Sequence, residues 1–110
     1  MIRFALVLAV LSGCAAHQPY SPVLVEQHLP LAEAGVPVPF STTVDVSAVV
    51  QRASGRCDGP DVRAEVLDGW MTIAWTAPAE AVMAQRSGVC RAGEGSAAVA
   101  VGYDFRLVRS

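Results

Sequence analysis

The chain has 110 residues, and its eight basic residues, all arginine, stand against ten acidic ones for a formal net charge of −2. A chain of this length builds one small domain. The acidic balance, with no basic cluster, leaves no electrostatic footprint for nucleic acid and no grip on anionic lipid, so nucleic acid is excluded as a partner.

The first thirteen residues have a single charge near the start, Arg3, then an apolar run from Phe4 to Leu11, then the small residues Ser12 and Gly13. That pattern predicts a secretory signal peptide over 1–13. The run falls well short of the roughly 20 apolar residues that a spanning helix needs. Leu11-Ser12-Gly13-Cys14 resembles the lipobox of bacterial lipoproteins. The resemblance implies alkylation of the Cys14 thiol by diacylglycerol, cleavage before it, and acylation of the new amino terminus. It places the protein in the cell envelope, with the membrane as a partner through lipid on Cys14. Ala15, where inner-membrane members carry Asp, implies the periplasmic face of the outer membrane. Several acyl chains anchor durably, whereas one binds only with an association constant on the order of 10⁴ M⁻¹. Cleavage also removes Arg3, leaving seven arginines against ten acids.

Of three cysteines, reserving Cys14 for lipid leaves Cys57 and Cys90. In an oxidising compartment that pair predicts a disulfide, because both histidines, His17 and His28, precede the expected domain and a metal site would want more ligands nearby. No metal is expected.

Residues 15–40 hold five of the seven prolines, Pro19, Pro22, Pro30, Pro37 and Pro39. Each fixes φ and removes a donor, which argues against a helix or a central strand. Residues 14–40 therefore read as a lipidated, proline-rich tether, and 41–110 as the single disulfide-stapled domain. A pure spacer would be polar, yet Val23, Leu24, Val25, Leu29, Leu31, Val36, Val38 and Phe40 are not. Part of the tether is expected to pack on its own domain as a proline-bearing edge.

Within the domain, residues 45–53 suit a helix capped by Asp45, with Val46, Val49, Val50 and Ala53 on one face and Gly55 as the stop. The alternative is a strand with Val44, Val46, Ala48 and Val50 inward. Asp68-Gly69 is the strongest short hairpin signal, because a type I′ turn needs positive φ at both central positions. It sets Leu67 opposite Trp70, Val66 opposite Met71, Glu65 opposite Thr72, Ala64 opposite Ile73, Arg63 opposite Ala74 and Val62 opposite Trp75. Val62, Ala64, Val66, Met71, Ile73 and Trp75 then share one apolar face, while Arg63, Glu65 and Thr72 share the other. Residues 77–88 suit a second short helix, with Pro78 in its first turn and Gly88 beyond its end. Strict alternation of Ala97, Val99, Val101, Tyr103, Phe105 and Leu107 predicts a long final strand.

The expected fold class is α+β, a small three-stranded sheet with two short helices on one face in the order helix, hairpin, helix, strand. The disulfide would then join two helix exits. A small all-β sandwich is the alternative if 43–51 is a strand. The stretch Val62 to Ile73, with this element order, resembles the small αββα modules of bacterial envelope proteins such as BON domains, departing at Trp75 where that family carries glycine.

Residues suited to catalysis are few. Both histidines lie outside the expected domain, and the two domain cysteines are committed to each other. Asp58-Gly59-Pro60-Asp61 lacks the alternating ligands of a calcium loop and reads as a turn. Glu80 and Glu94 read as solvated, and Gly93-Glu94-Gly95-Ser96 lacks the lysine and spacing of a phosphate loop. No enzyme activity and no cofactor are expected. Leu67 and Trp70 protrude together beside the turn as candidate partner-binding residues, unless the apolar tether folds over them. The expectation is a lipid-anchored binding or assembly module with an envelope protein as partner. The alternative is a periplasmic inhibitor or ligand-binding lipoprotein.

Overall fold

A computed structural model describes residues 20–110 of the protein. Seven strands follow in chain order: β1 (Tyr20–Leu29), β2 (Val38–Asp45), β3 (Ala53–Cys57), β4 (Arg63–Leu67), β5 (Trp70–Ala77), β6 (Met83–Ala92) and β7 (Val99–Arg109). Short 3₁₀ turns, Leu31–Glu33 and Gly95–Ala97, are the helical elements among the described residues. The α+β expectation is therefore corrected to an all-β fold.

The β4–β5 hairpin has the register dictated by its turn. Asp68 and Gly69 have φ of +51° and +79°, and Leu67 to Arg63 pair with Trp70 to Ala74 in turn. Val62, Val66, Met71, Ile73 and Trp75 are buried, while Arg63, Glu65 and Thr72 face solvent. β7 also alternates as expected, with Val99, Val101, Tyr103, Phe105 and Leu107 buried. Ala97 falls in the 3₁₀ turn before it.

Neither predicted helix forms. At 45–53, Asp45 ends β2, and a single helical turn follows in which Val49 and Val50 N–H both donate to Val46 O, at 2.9 and 3.0 Å. Asp45 does cap that turn, its Oδ1 accepting from Ser47 N at 2.9 Å. The helix has no room to extend, because β2 runs on to Asp45 and β3 begins at Ala53, with Val44 packed in the sheet opposite Met71 as a β-branched residue favours. Gly55, expected as a helix stop, lies inside β3, where a Cβ would come within 2.7 Å of Ala64 Cβ. At 78–88, a turn closes with Ala81 N donating to Pro78 O at 3.2 Å, and the chain then enters β6. β6 pairs with β7 over ten residue pairs, and that ladder outweighs the weak helix preference of Ala, Gln and Arg. Gly88 sits mid-strand under Tyr103, whose hydroxyl would meet an added Cβ at 2.7 Å. The element order on which the likeness to αββα modules rested is thus absent, although the hairpin stands.

Residues 20–29 join the sheet as β1, parallel to β7, and residues 38–40 as the start of β2, antiparallel to β5, with 30–37 connecting them. Their prolines fit because both strands are edges of the order β1-β7-β6-β3-β4-β5-β2. The two edges approach each other, Gln27 Nε2 donating to Pro39 O at 3.3 Å, so the sheet nearly closes. β3 carries it from one layer to the other: Ala53 and Ser54 pair with β4, then Gly55, Arg56 and Cys57 pair with β6. β2, β5 and β4 thus form one layer and β1, β7, β6 and β3 the other of a single seven-stranded, nearly closed sheet.

The core lies between the layers. Phe40 of β2 and Trp75 of β5 meet Phe105 of β7 at ring-centre distances of 5.5 and 6.2 Å, and Tyr103 lies 5.5 Å from Phe105. The strand directions set two ends. One carries the start of β1, the β4–β5 turn and the 46–52 and 93–98 connections. The other carries the 30–37, 58–62 and 78–82 connections and the chain's last residues.

Candidate functional site

At the first end, the hairpin tip is docked on the turn after β2. Val46 N donates to Gly69 O at 2.8 Å and Gly69 N to Gln51 O at 2.9 Å. Gly69 is required twice over: its φ is positive, and a Cβ would lie 2.4 Å from Ser47 Cβ. The supporting turn is itself held, with Gln51 Nε2 donating to Ser47 O at 2.7 Å and Ser47 Oγ to Asp45 Oδ1 at 2.6 Å. The Ser47 hydroxyl, with its N–H, holds the Asp45 carboxyl below the usual carboxylate range. On this platform Leu67 and Trp70 stand side by side, 47% and 51% exposed. Asp45 is Trp70's neighbour on the other side. The structure thus brings the two predicted residues together on the outer face. No segment among the described residues covers them, whereas the stretch expected as a possible cover joins the sheet over 20–29 and 38–40.

The disulfide is present, Cys57 bonded to Cys90 at 2.10 Å. It joins opposed residues of β3 and β6 rather than two helix exits. Cys14 lies outside the described residues.

The turn 58–61 is locked by its own carboxylates. Asp58 Oδ2 accepts from Val89 N at 3.1 Å, and its backbone O accepts from the Tyr103 hydroxyl at 2.8 Å. Asp61 accepts from Arg86 at 2.5 Å and from Trp75 Nε1 at 3.0 Å. These bonds account for both carboxylates structurally. Burial pushes the Asp61 carboxyl up, but the hydrogen bonds from Arg86 and Trp75 outweigh it and hold it below the usual carboxylate range. A depressed folded pKa contributes stability above the unfolded value and loses it as pH falls through the folded one. The difference in urea midpoint between wild type and Asp61→Asn should therefore be largest near neutral pH and shrink as pH drops below about 4. A difference that stays constant down to pH 3 would show that the charge on Asp61 contributes nothing.

The second end holds a feature that sequence reasoning missed. Leu31, Val36, Val82 and Met83 are 50%, 60%, 51% and 70% exposed. They come from two connections and the start of β6, tied together and to the end of β7: Gly35 N donates to Ala79 O at 3.0 Å, Arg109 N to Val82 O at 3.0 Å, and Leu31 N to Ser110 O at 3.2 Å. The Arg109 side chain, 3% exposed, donates to Ala81 O at 2.9 Å and to Val36 O at 3.1 Å. An arginine in phase with the inward residues of β7 was the available signal. Among the described residues, no three His, Cys, Asp or Glu side chains are grouped to hold a metal ion. Compared with known proteins, the chain matches no family model, no curated protein and no solved structure.

Proposed function

We propose that this protein is a lipid-anchored, non-enzymatic binding or assembly module of the bacterial cell envelope, held through Cys14 at the periplasmic face of the outer membrane. The observation that carries the binding reading is the apolar second end. Four large apolar side chains are exposed there, on loops whose backbones are pinned around Arg109. Fixed loops bearing exposed apolar side chains lose little entropy on docking, which favours association. β1 leads from the Trp70 end to this one, so a domain anchored at Cys14 presents Leu31, Val36, Val82 and Met83 away from the bilayer, toward an envelope protein.

The test is a photo-crosslinking side chain placed in intact cells at Met83, at Val36 or at Thr43, an exposed residue of β2. Positions 83 and 36 should give one and the same protein adduct and position 43 none. Equal adducts from all three, or none from 83 and 36, would overturn the assignment of this end. Cys14→Ser should abolish labelling by radioactive palmitate and release the protein from the membrane. Continued labelling would refute the anchor.

A further inference from the structure

Strands β1, β7, β3 and β5 run in one direction, so Tyr20 opens β1 at the end where Trp70 opens β5. Cys14 precedes Tyr20 by six residues, a span of at most about 22 Å at ~3.6 Å per residue. Ten-residue β1 is itself about 30 Å long at ~3.3 Å per residue. An acylated Cys14 therefore cannot be carried to the Leu31 and Met83 end. The anchor enters the domain at the end that carries Leu67 and Trp70.

We infer that the Leu67 and Trp70 tip rests on the lipid surface, at the headgroup boundary of a zwitterionic bilayer, and sets the orientation of the domain. This rests on acylation of Cys14. Several features of the tip support it. Indole rings partition to the boundary between headgroups and acyl chains, with the apolar body inward and the N–H toward polar groups. Trp75 spends its N–H on Asp61. Among the described residues, the Trp70 N–H has no protein acceptor. The tip is pre-ordered by its two backbone hydrogen bonds to the 46–51 turn, so contact orders nothing new. The acyl chains hold the protein, and a tether this short keeps the tip at high effective concentration against the surface, so a weak contact suffices to orient it. Charge selects the lipid. Asp45 is paired beside Trp70 and Asp68 follows Leu67, so the tip itself carries two carboxylates, which disfavours an anionic surface.

The experiment uses the full chain, acylated in a bacterial host and reconstituted in phosphatidylcholine vesicles containing brominated acyl chains. Tryptophan emission should be partly quenched, and the quenched part should disappear in Trp70→Phe, leaving the unquenched Trp75. Raising the phosphatidylglycerol fraction should weaken the quenching. Acylated, vesicle-bound protein whose emission is not quenched would overturn the contact while leaving the anchor standing. Equal quenching in Trp70→Phe would overturn it too. A crosslink from position 70 in cells to a protein rather than to lipid would replace the bilayer with a protein partner. Absence of acyl mass on Cys14 would remove the anchor and the contact together.

Discussion

Replacing Phe105 by alanine should lower the free energy of unfolding by about 3–5 kcal/mol. Phe105 is fully buried. Its ring lies 5.5 Å from Phe40, 6.2 Å from Trp75 and 5.5 Å from Tyr103, so truncation removes contacts to both layers at once. The cavity cannot collapse easily, because each lining ring sits on a strand fixed by neighbours on the sheet. Phe105→Leu, which keeps much of the volume, should cost clearly less. The check is a urea titration at constant m-value. A loss under about 1 kcal/mol for the alanine variant would mean that the aromatic cluster does not join the layers.

That experiment also bears on what was legible in the sequence. Phe40 lies in the stretch whose prolines suggested a tether, yet it is 1% exposed. Pro22 and Pro39 mark edge strands, and an edge strand with inward apolar residues is hard to tell from an apolar linker until its neighbour is known. The β4–β5 hairpin was legible because Asp68-Gly69 fixes its register and six flanking residues agree on one face. β7 was legible because five of its inward residues alternate without a break.

The two predicted helices were not, and the reason is tertiary. Over 83–92, Ala, Gln and Arg lean toward helix by only tenths of a kcal/mol each. An eleven-residue β7 with a buried face needs long partners on both sides, and β6 and β1 are the ten-residue strands that supply them. Had β7 been given that requirement first, the helix over 77–88 would have lost to a strand. Leu67 and Trp70 could be found from the hairpin alone. The apolar second end could not, because Leu31 and Val36 come from one connection, Val82 from another and Met83 from the start of β6, and no periodicity links them.

Replacing Cys57 and Cys90 together by alanine should lower stability by about 3–4 kcal/mol, the loop-closure entropy released when a bond across 33 residues is removed. Lost packing adds to this at Cys90, which is fully buried in the core, more than at half-buried Cys57. The position of the bond raises its weight. β3 has five residues, two paired with β4 and three with β6, and it is the strand on which the sheet passes from one layer to the other. With so few hydrogen bonds holding it on each side, β3 would open locally before the rest once the bond is gone. Amide exchange at Gly55 and Arg56 should therefore accelerate more than exchange at Ile73 or Phe105. Small domains have only about 5–15 kcal/mol in total, so the reduced or doubly substituted protein should unfold at a much lower urea concentration. A midpoint that dithiothreitol leaves unchanged in the wild type would show that the ladder alone holds β3 to β6, and that the disulfide contributes nothing to the joint.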